Sequence, residues 1–147
     1  MQKTVLIINT GNTSTKVGLY TDGKADDVTV IRHDDAELAR FSLVNDQKEF
    51  RESLVLDYLK SRNLDAGALA AVAARGGILR PMESGTYLVN ETMIRDLIEA
   101  ERGFHASHLS AQIGYSIAQR GNMNCYIVDP ITVDEFDPVA RISGHRA

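Results

Sequence analysis

The fold of this chain is decided by the stretch Asn9-Thr10-Gly11-Asn12-Thr13-Ser14-Thr15-Lys16. It follows the apolar run of residues 5–8 and leads directly into residues 17–20, which also have the composition of a strand. A buried strand, a polar turn with a glycine and a second strand predict a β-hairpin. Free backbone N–H groups, short hydroxyls and a lysine would meet at this turn. That chemistry suits an anion, and phosphate above all.

Two familiar phosphate-binding motifs do not fit this turn. A P-loop needs a second glycine at a set distance and a following helix, and Gly11 has no such partner. A dinucleotide-binding turn opens a helix, whereas here a strand follows. The remaining design is a hairpin turn that holds the terminal phosphates of a nucleotide, with Asn9 closing the first strand to hold hydrated magnesium or to orient a phosphate. The predicted phosphate-binding residues are Gly11, Asn12, Thr13, Ser14 and Lys16.

An ordinary hairpin turn is the alternative interpretation of the same stretch. Asn, Gly, Thr and Ser are common in turns for purely conformational reasons. The choice between the two interpretations therefore depends on what other residues the fold brings to the turn.

Length, composition and charge restrict the class of protein. The chain has 147 residues, of which 44% are hydrophobic, and a formal net charge of −4. This suits one ordered domain with its own core, and the acidic balance argues against a nucleic-acid partner. No apolar run is long enough to cross a membrane, and no signal-peptide pattern precedes the first strand. The lone Cys125 lies in an apolar stretch and is predicted to be a core thiol. We therefore expect a cytoplasmic protein with neither a nucleic-acid nor a membrane partner.

The spacing of apolar residues predicts the order of the secondary structure elements. Strands are expected at residues 4–9, 14–20, 28–32, 69–74 and 125–129, with an extended piece at 86–89. A helical turn is expected at 34–40, and three helices should follow a capping box at 46–49, Asn90 and Ser107. Three antiparallel strands followed by helix, strand, helix and strand predict an α/β fold of the ribonuclease-H type, a mixed five-stranded sheet with helices on its faces.

Two charged residues stand at the predicted carboxyl ends of buried strands. Arg75 precedes a pair of glycines and can pair with a carboxylate or a transferring phosphoryl group. Asp129 precedes Pro130 and is a candidate general base or a positioner of magnesium or substrate. The alternatives are an exposed strand-end arginine and an aspartate that merely starts a turn.

Two histidines stand near the start of the third predicted helix. The positive end of a helix dipole favours a neutral imidazole, so His105 is a candidate to orient substrate through one hydrogen bond. His108 is expected to be a partly exposed residue of the first turn. Since two histidines with no third ligand nearby make a poor zinc site, a metal at this pair is not expected. In the predicted sheet, Asn9, Arg75 and Asp129 would share one edge.

Several sequence blocks together resemble the butyrate kinase branch of the acetokinase family, which lies in the superfamily of acetate and sugar kinases, heat-shock ATPases and actin. The matching blocks lie at residues 8–16, 74–81, 85–90, 105–107, 126–130 and 139–144. The resemblance implies transfer of the γ-phosphoryl group of ATP to a short-chain carboxylate such as butyrate, or the reverse reaction from an acyl phosphate. It implies ATP and Mg²⁺ as cofactors and Arg75, His105 and Asp129 as catalytic residues.

The resemblance also implies a larger enzyme. Such kinases have two similar domains around a cleft, in the actin-like ATPase fold, and form homo-oligomers. Residues 1–147 are therefore expected to be the N-terminal domain, inactive alone, with the C-terminal domain outside this chain. An acetate or propionate kinase and a non-catalytic nucleotide-binding half-domain remain as alternatives.

Overall fold

A six-stranded mixed sheet forms the centre of the computed structural model, which describes residues 2–142. In chain order the strands are β1 Thr4–Thr10, β2 Ser14–Thr21, β3 Lys24–Arg32, β4 Ala71–Ala74, β5 Thr86–Leu88 and β6 Asn124–Val128. Their order across the sheet is β3-β2-β1-β4-β6-β5. This confirms the predicted fold class. The predicted count of five strands was wrong, because the extended piece at 86–89 pairs as a short sixth strand.

The sheet has one antiparallel half and one parallel centre. β1 pairs antiparallel with β2, and β2 with β3, while β1, β4 and β6 are parallel neighbours. β5 closes the far side, antiparallel to β6. Because parallel strands end at the same edge, the residues that follow β1, β4 and β6 lie side by side.

The strand β3 is longer than the apolar pattern predicted. It starts at Lys24, directly after a two-residue turn in which Asp22 and Gly23 both have positive φ, the geometry of tight hairpins. Its first residues are charged because β3 is an edge strand, where charge discourages pairing with another chain. Apolar alternation therefore detects only its second half.

Four α-helices connect the strands. They are α1 Asp35–Leu38, α2 Lys48–Ser61, α3 Glu91–Glu99 and α4 His108–Gly121, and short 3₁₀ turns lie at Val44–Gln47, Ala66–Ala68 and Pro138–Arg141. The predicted cap of α3 is confirmed, since the Asn90 side chain accepts a hydrogen bond from the Met93 N–H at 3.0 Å. No helix within residues 2–142 is long and apolar enough to span a bilayer.

Two predicted helix caps were wrong. Residues 44–47 form a 3₁₀ turn, so the capping box at 46–49 does not form; Asp46 accepts from the Leu43 N–H instead. Ser107 stands at the start of α4, but its hydroxyl bonds the His105 ring rather than the helix backbone. In both places the side chain forms a hydrogen bond to another nearby group instead of the helix end.

The core lies between one face of the sheet and the helices. Along β1, β4 and β6 alternate residues are fully buried, and α4 packs across these three strands while α2 and α3 pack against α4. In the part of the chain described, α2, α3 and α4 form one helical layer over this face. The core side chains include Leu6, Ile8, Val72, Leu109, Ile113, Ile117, Cys125 and Ile127. Burial raises the pKa of the Cys125 thiol to about 12, as expected of a core thiol.

The direction of α4 sets where the site lies. It ends at Gly121, just before β6 begins at Asn124, so it runs back along the sheet from the carboxyl edge. Its first residue, His108, packs on Gly77 in the loop after β4. A Cβ at Gly77 would lie 2.8 Å from His108 Cα and 2.7 Å from Leu97 Cδ2. The second glycine of the pair therefore lets the start of α4 approach this edge.

We predict that Gly77→Ala lowers the free energy of unfolding by about 1–3 kcal/mol, because backbone must shift to admit the methyl group. The control is Gly11→Ala, whose Cβ would have its nearest neighbours 3.7 Å away and should change stability little. Urea unfolding of the two variants checks this. Equal stability of both would contradict the packing argument.

Candidate active site

The turn between β1 and β2 is open to solvent. The Gly11 N–H donates to the Ser14 carbonyl at 2.8 Å and closes the turn, while Asn12 and Thr13 at its tip are exposed. Within residues 2–142 neither tip N–H has a hydrogen-bond acceptor. Two free N–H groups in succession are the feature that the predicted anion site requires, and anion binding at this turn stays a prediction.

A row of polar side chains lies beside this turn on the uncovered face of the sheet. Asn9 pairs across the hairpin with Lys16, and cross-strand partners point to the same face. Arg75 takes the next position on the other side, where its N–H donates to the Ile8 carbonyl at 3.0 Å. Adjacent strands are about 4.8 Å apart, so the two cations flank Asn9 over about 10 Å. Neither cation forms an ion pair within the part of the chain described.

An apolar groove begins at the same row. It has a volume of about 290 Å³ and its exposed lining is almost entirely apolar. Asn9 and Arg75 stand at its polar end. The groove is lined by Ile7, Ile8, Asn9, Ala73, Ala74, Arg75 and Val128. An elongated molecule with one anionic end and one apolar end fits this arrangement.

Asp129 follows β6 at the same edge, in a left-handed backbone conformation with φ 42°. Its Oδ1 accepts from the Gly85 N–H at 2.9 Å, and its own N–H donates to the Gly85 carbonyl at 3.0 Å. These bonds tie the end of β6 to the loop before β5. They account for one carboxylate oxygen and leave Oδ2 with no partner among residues 2–142. A structural and a functional role for Asp129 are thus compatible.

His105 lies in the loop that enters α4. Its Nδ1 accepts from the Ser107 N–H at 3.1 Å and is 2.7 Å from the Ser107 hydroxyl. An imidazole that accepts at Nδ1 carries its proton on Nε2, so this exposed nitrogen is a hydrogen-bond donor.

The β1–β2 turn is linked to the start of α4 through Thr10, the last residue of β1. The Thr10 N–H donates to Ser110 Oγ at 2.9 Å, and the Thr10 hydroxyl donates to the Ala106 carbonyl at 2.6 Å. All three residues are buried. Buried hydrogen bonds therefore keep the β1–β2 turn close to the loop that carries His105.

His108 is not the partly exposed residue that was predicted. It is 1% exposed, its Nδ1 contacts the Leu97 carbonyl at 3.1 Å, and its Nε2 has no partner within residues 2–142. Burial lowers its pKa, so the ring is neutral near pH 7. It belongs to the core beneath the site.

Arg51 on α2 is the residue that the sequence analysis missed. Its Nη1 donates to the carbonyls of Gly11 and Ser14 at 2.8 and 3.0 Å, and its Nη2 to the Asn12 carbonyl at 2.9 Å. A signal existed in the sequence. Arg51 precedes Val55 by one helical turn and so stands on the apolar face of the predicted helix.

Two curated proteins are similar to this chain in sequence. Butyrate kinase 1 of Clostridium acetobutylicum is 46% identical over 140 residues, which are 95% of this chain and 39% of that protein. A probable butyrate kinase of Clostridium botulinum is 44% identical over 144 residues, covering 98% and 41% of the two chains. This chain is similar in sequence to the butyrate kinases over nearly all of its length. It spans about two-fifths of the length of these curated relatives. No protein-family model matches it.

Solved structures of acetate and propionate kinases have a similar fold. Acetate kinase from Entamoeba histolytica superposes with a TM-score of 0.53 at 14% identity, over 86% of this chain and 34% of that one. Porphyromonas gingivalis acetate kinase gives 0.52 at 16%, over 86% and 37%. A propionate kinase from Francisella tularensis gives 0.51 at 16%, over 86% and 36%. At such low identity the likeness shows the actin-like ATPase fold and nothing about individual residues.

The predicted site residues lie at one edge of the sheet. Asn9 lies near the end of β1, Arg75 follows β4 and Asp129 follows β6. The turn 11–14 and Lys16 lie beside Asn9, and His105 lies in the loop before α4. Their roles in binding or catalysis stay predictions. The last block of the family resemblance, residues 139–144, lies partly outside the described residues.

His33 lies buried behind the turn, and this has a consequence for stability. Its Nε2 is 2.9 Å from Thr15 Oγ1, and its Nδ1 has no partner within residues 2–142. Burial and, secondly, the nearby Arg51 charge lower the pKa of His33; Glu37 opposes this. Folding thus lowers the pKa of both His33 and His108.

We predict that stability falls as the pH falls from 7.5 to 5.5. Below the ordinary histidine pKa of about 6.5 the unfolded chain binds protons that the folded chain does not, at a slope of at most about 1.4 kcal/mol per pH unit for each histidine. Urea unfolding at the two pH values measures the loss. The double variant His33→Gln, His108→Gln should flatten it, and an unchanged slope would contradict the prediction. Staying above pH 5.5 keeps the carboxylates, whose folding contributions are lost at lower pH, out of the window.

Proposed function

We propose that this chain is the N-terminal domain of a butyrate-kinase-like enzyme. The enzyme transfers the γ-phosphoryl group of ATP to a short-chain carboxylate and forms an acyl phosphate, or runs in reverse. The observation that carries the proposal is the row formed by Lys16, Asn9 and Arg75 beside the open turn. At this edge of the sheet, the free N–H groups of the turn, two cations that form no ion pair within residues 2–142 and an apolar groove lie next to one another.

The proposed phosphoryl transfer requires neutralisation of negative charge more than it requires a general base. A carboxylate oxygen attacks the γ-phosphorus, a new P–O bond forms, and the bond to the bridging oxygen breaks with its electron pair leaving on ADP. Carboxylic acids of this kind have a pKa of about 4, so the nucleophile is already ionised near pH 7. The barrier is the approach of two anions. Lys16 and Arg75 would screen them, and the turn N–H groups would hold the phosphate.

His105 and Asp129 would position groups rather than remove protons. The His105 Nε2–H can donate one hydrogen bond to a phosphoryl or carboxylate oxygen. The Asp129 Oδ1 is held by Gly85, which would present its free Oδ2 toward the edge of the site.

The donor set fits a magnesium ion that is held mainly by nucleotide and water. Mg²⁺ keeps several waters and typically takes only one or two protein oxygens together with phosphates. Asn9 supplies an amide oxygen at the turn, and within the described residues there is no cluster of three or more His, Cys, Asp or Glu that could hold a metal alone. When bound, the ion would neutralise charge on the phosphates.

The apolar groove supports a carboxylate with an alkyl chain as substrate. Its volume of about 290 Å³ exceeds what the methyl group of acetate needs, and its polar end carries Arg75. Butyrate is therefore the proposed substrate, and acetate or propionate is the alternative. A C-terminal domain, a homo-oligomer and a cytoplasmic location belong to the same proposal.

The test uses the full-length protein, MgATP and straight-chain carboxylates from acetate to pentanoate, with acyl phosphate trapped by hydroxylamine. We expect product with a preference for butyrate. Lys16→Met should lower kcat/KM about 100-fold, because it removes a charge that the transition state needs. The matched control is Lys24→Met on β3, an exposed lysine with the same change in net charge. Binding of MgATP without any acyl phosphate would favour the non-catalytic alternative and contradict the enzyme.

Asp129→Asn should lower kcat at least about tenfold while changing stability little, because the amide keeps the oxygen that accepts from Gly85 and loses only the charge. Glu135→Gln is the control. Glu135 accepts from the Ser84 N–H at 2.7 Å in the same pair of loops, and its variant should keep full turnover. Steady-state kinetics and thermal melts check both. Normal turnover of Asp129→Asn would remove Asp129 from the site.

A further inference from the structure

Arg51 is a fully buried cation directly beneath the phosphate turn. It is 0% exposed, although arginine is among the residues least often buried. Its Nε and Nη2 donate to Gln47 Oε1 at 3.0 and 2.8 Å, and Nη1 also contacts Thr15 Oγ1 at 3.3 Å. Together with the bonds to the turn carbonyls, this satisfies the guanidinium with neutral oxygens alone.

No carboxylate balances this charge. Within residues 2–142 Arg51 forms no ion pair, whereas the next residue along α2, the buried Glu52, is paired with Lys48 and Arg120, each at 2.8 Å. Burial lowers the pKa of Arg51 to about 10, which leaves it charged near pH 7. Buried charges are normally paired, and an unpaired one costs free energy unless something else compensates it. Within residues 2–142, no acidic side chain forms an ion pair that would offset the buried charge of Arg51.

The planar guanidinium of Arg51 also determines which polar groups of the turn face the protein and which face solvent. It draws the Gly11, Asn12 and Ser14 carbonyls inward, and the opposite side of the turn is left with the N–H groups of Asn12 and Thr13. A carbonyl oxygen on the outer side would repel a phosphate. Neutral His33 behind Thr15 adds no charge of its own.

We infer that Arg51 is a positioning residue of the phosphate turn: from beneath, it holds three carbonyls away from the ligand and supplies a buried positive charge that the bound anion balances. Arg51 does not touch the ligand and acts through the turn. This inference rests on the proposed function of the turn. The competing explanation is a tether that stabilises the hairpin and has no effect on the anion.

The experiment measures the binding of inorganic pyrophosphate to the intact protein by isothermal titration calorimetry, at a temperature where thermal melts show each variant folded. Arg51→Met keeps the apolar stem and removes both charge and fork, so we expect Kd to rise at least about tenfold. Arg51→Lys restores the charge without the planar fork, and we expect a rise of about threefold. Val55→Ala, one helical turn further along α2 and fully buried, is the destabilising control and should leave Kd within about twofold.

The outcomes separate this inference from the proposed function. Lys16→Met should weaken pyrophosphate binding; if it does not, or if the wild-type protein binds none, the phosphate turn itself is contradicted. If Lys16→Met weakens binding while both Arg51 variants match the wild-type protein, only the inference on Arg51 is overturned. An effect of Val55→Ala equal to that of Arg51→Met would assign the loss to destabilisation and overturn it as well. If Arg51→Met does not fold, Arg51→Lys decides, and an affinity equal to that of the wild-type protein overturns the inference.

Discussion

The hydrogen bonds that hold the β1–β2 turn from two sides are the constraint on which the rest of this structure depends. Arg51 reaches the turn from α2, and Thr10 bonds Ala106 and Ser110 at the start of α4. Two helices distant in sequence are thereby attached to one turn of the chain. The Thr10 bonds are buried, so breaking one would leave a polar group without water, which costs more than the bond itself contributes. The Arg51 bonds to the turn carbonyls are partly buried and hold the turn from its other side.

The two faces of the sheet differ in polarity. The covered face is apolar and contacts α4, while the uncovered row carries Lys16, Asn9 and Arg75. Because β1, β4 and β6 are parallel, their carboxyl ends deliver residues from three separate parts of the chain to one place. An anion at this edge would meet cations and N–H groups without displacing any ion pair. Such an anion would displace only water. This suits phosphoryl transfer, because positioning and charge neutralisation account for most of its catalysis.

Local chemistry made much of this predictable. The hairpin at 9–16, two buried strands predicted at 69–74 and 125–129 and the Asn90 cap all follow from short-range apolar spacing and turn residues. The structure contains the hairpin and the cap, and it has the two strands at Ala71–Ala74 and Asn124–Val128. Residues with competing partners escaped such analysis. Asp46 and Ser107 look like helix caps in the sequence, yet each bonds a different neighbour. The edge strand β3 was predicted too short, and β5 was predicted as an extended piece but not counted in the sheet, because an edge strand needs few apolar residues.

The sequence by itself determined the glycine turn between β1 and β2, the mixed sheet and the residues at the strand ends, because these depend on backbone geometry and apolar periodicity over a few residues. Only the tertiary structure decided that Lys16, Asn9 and Arg75 form one row, that His108 is buried and that the charge of Arg51 lies beneath the turn. These facts depend on strand register and on helix packing between residues far apart in the chain. A lone arginine on α2 has no local feature that names its partners some forty residues earlier.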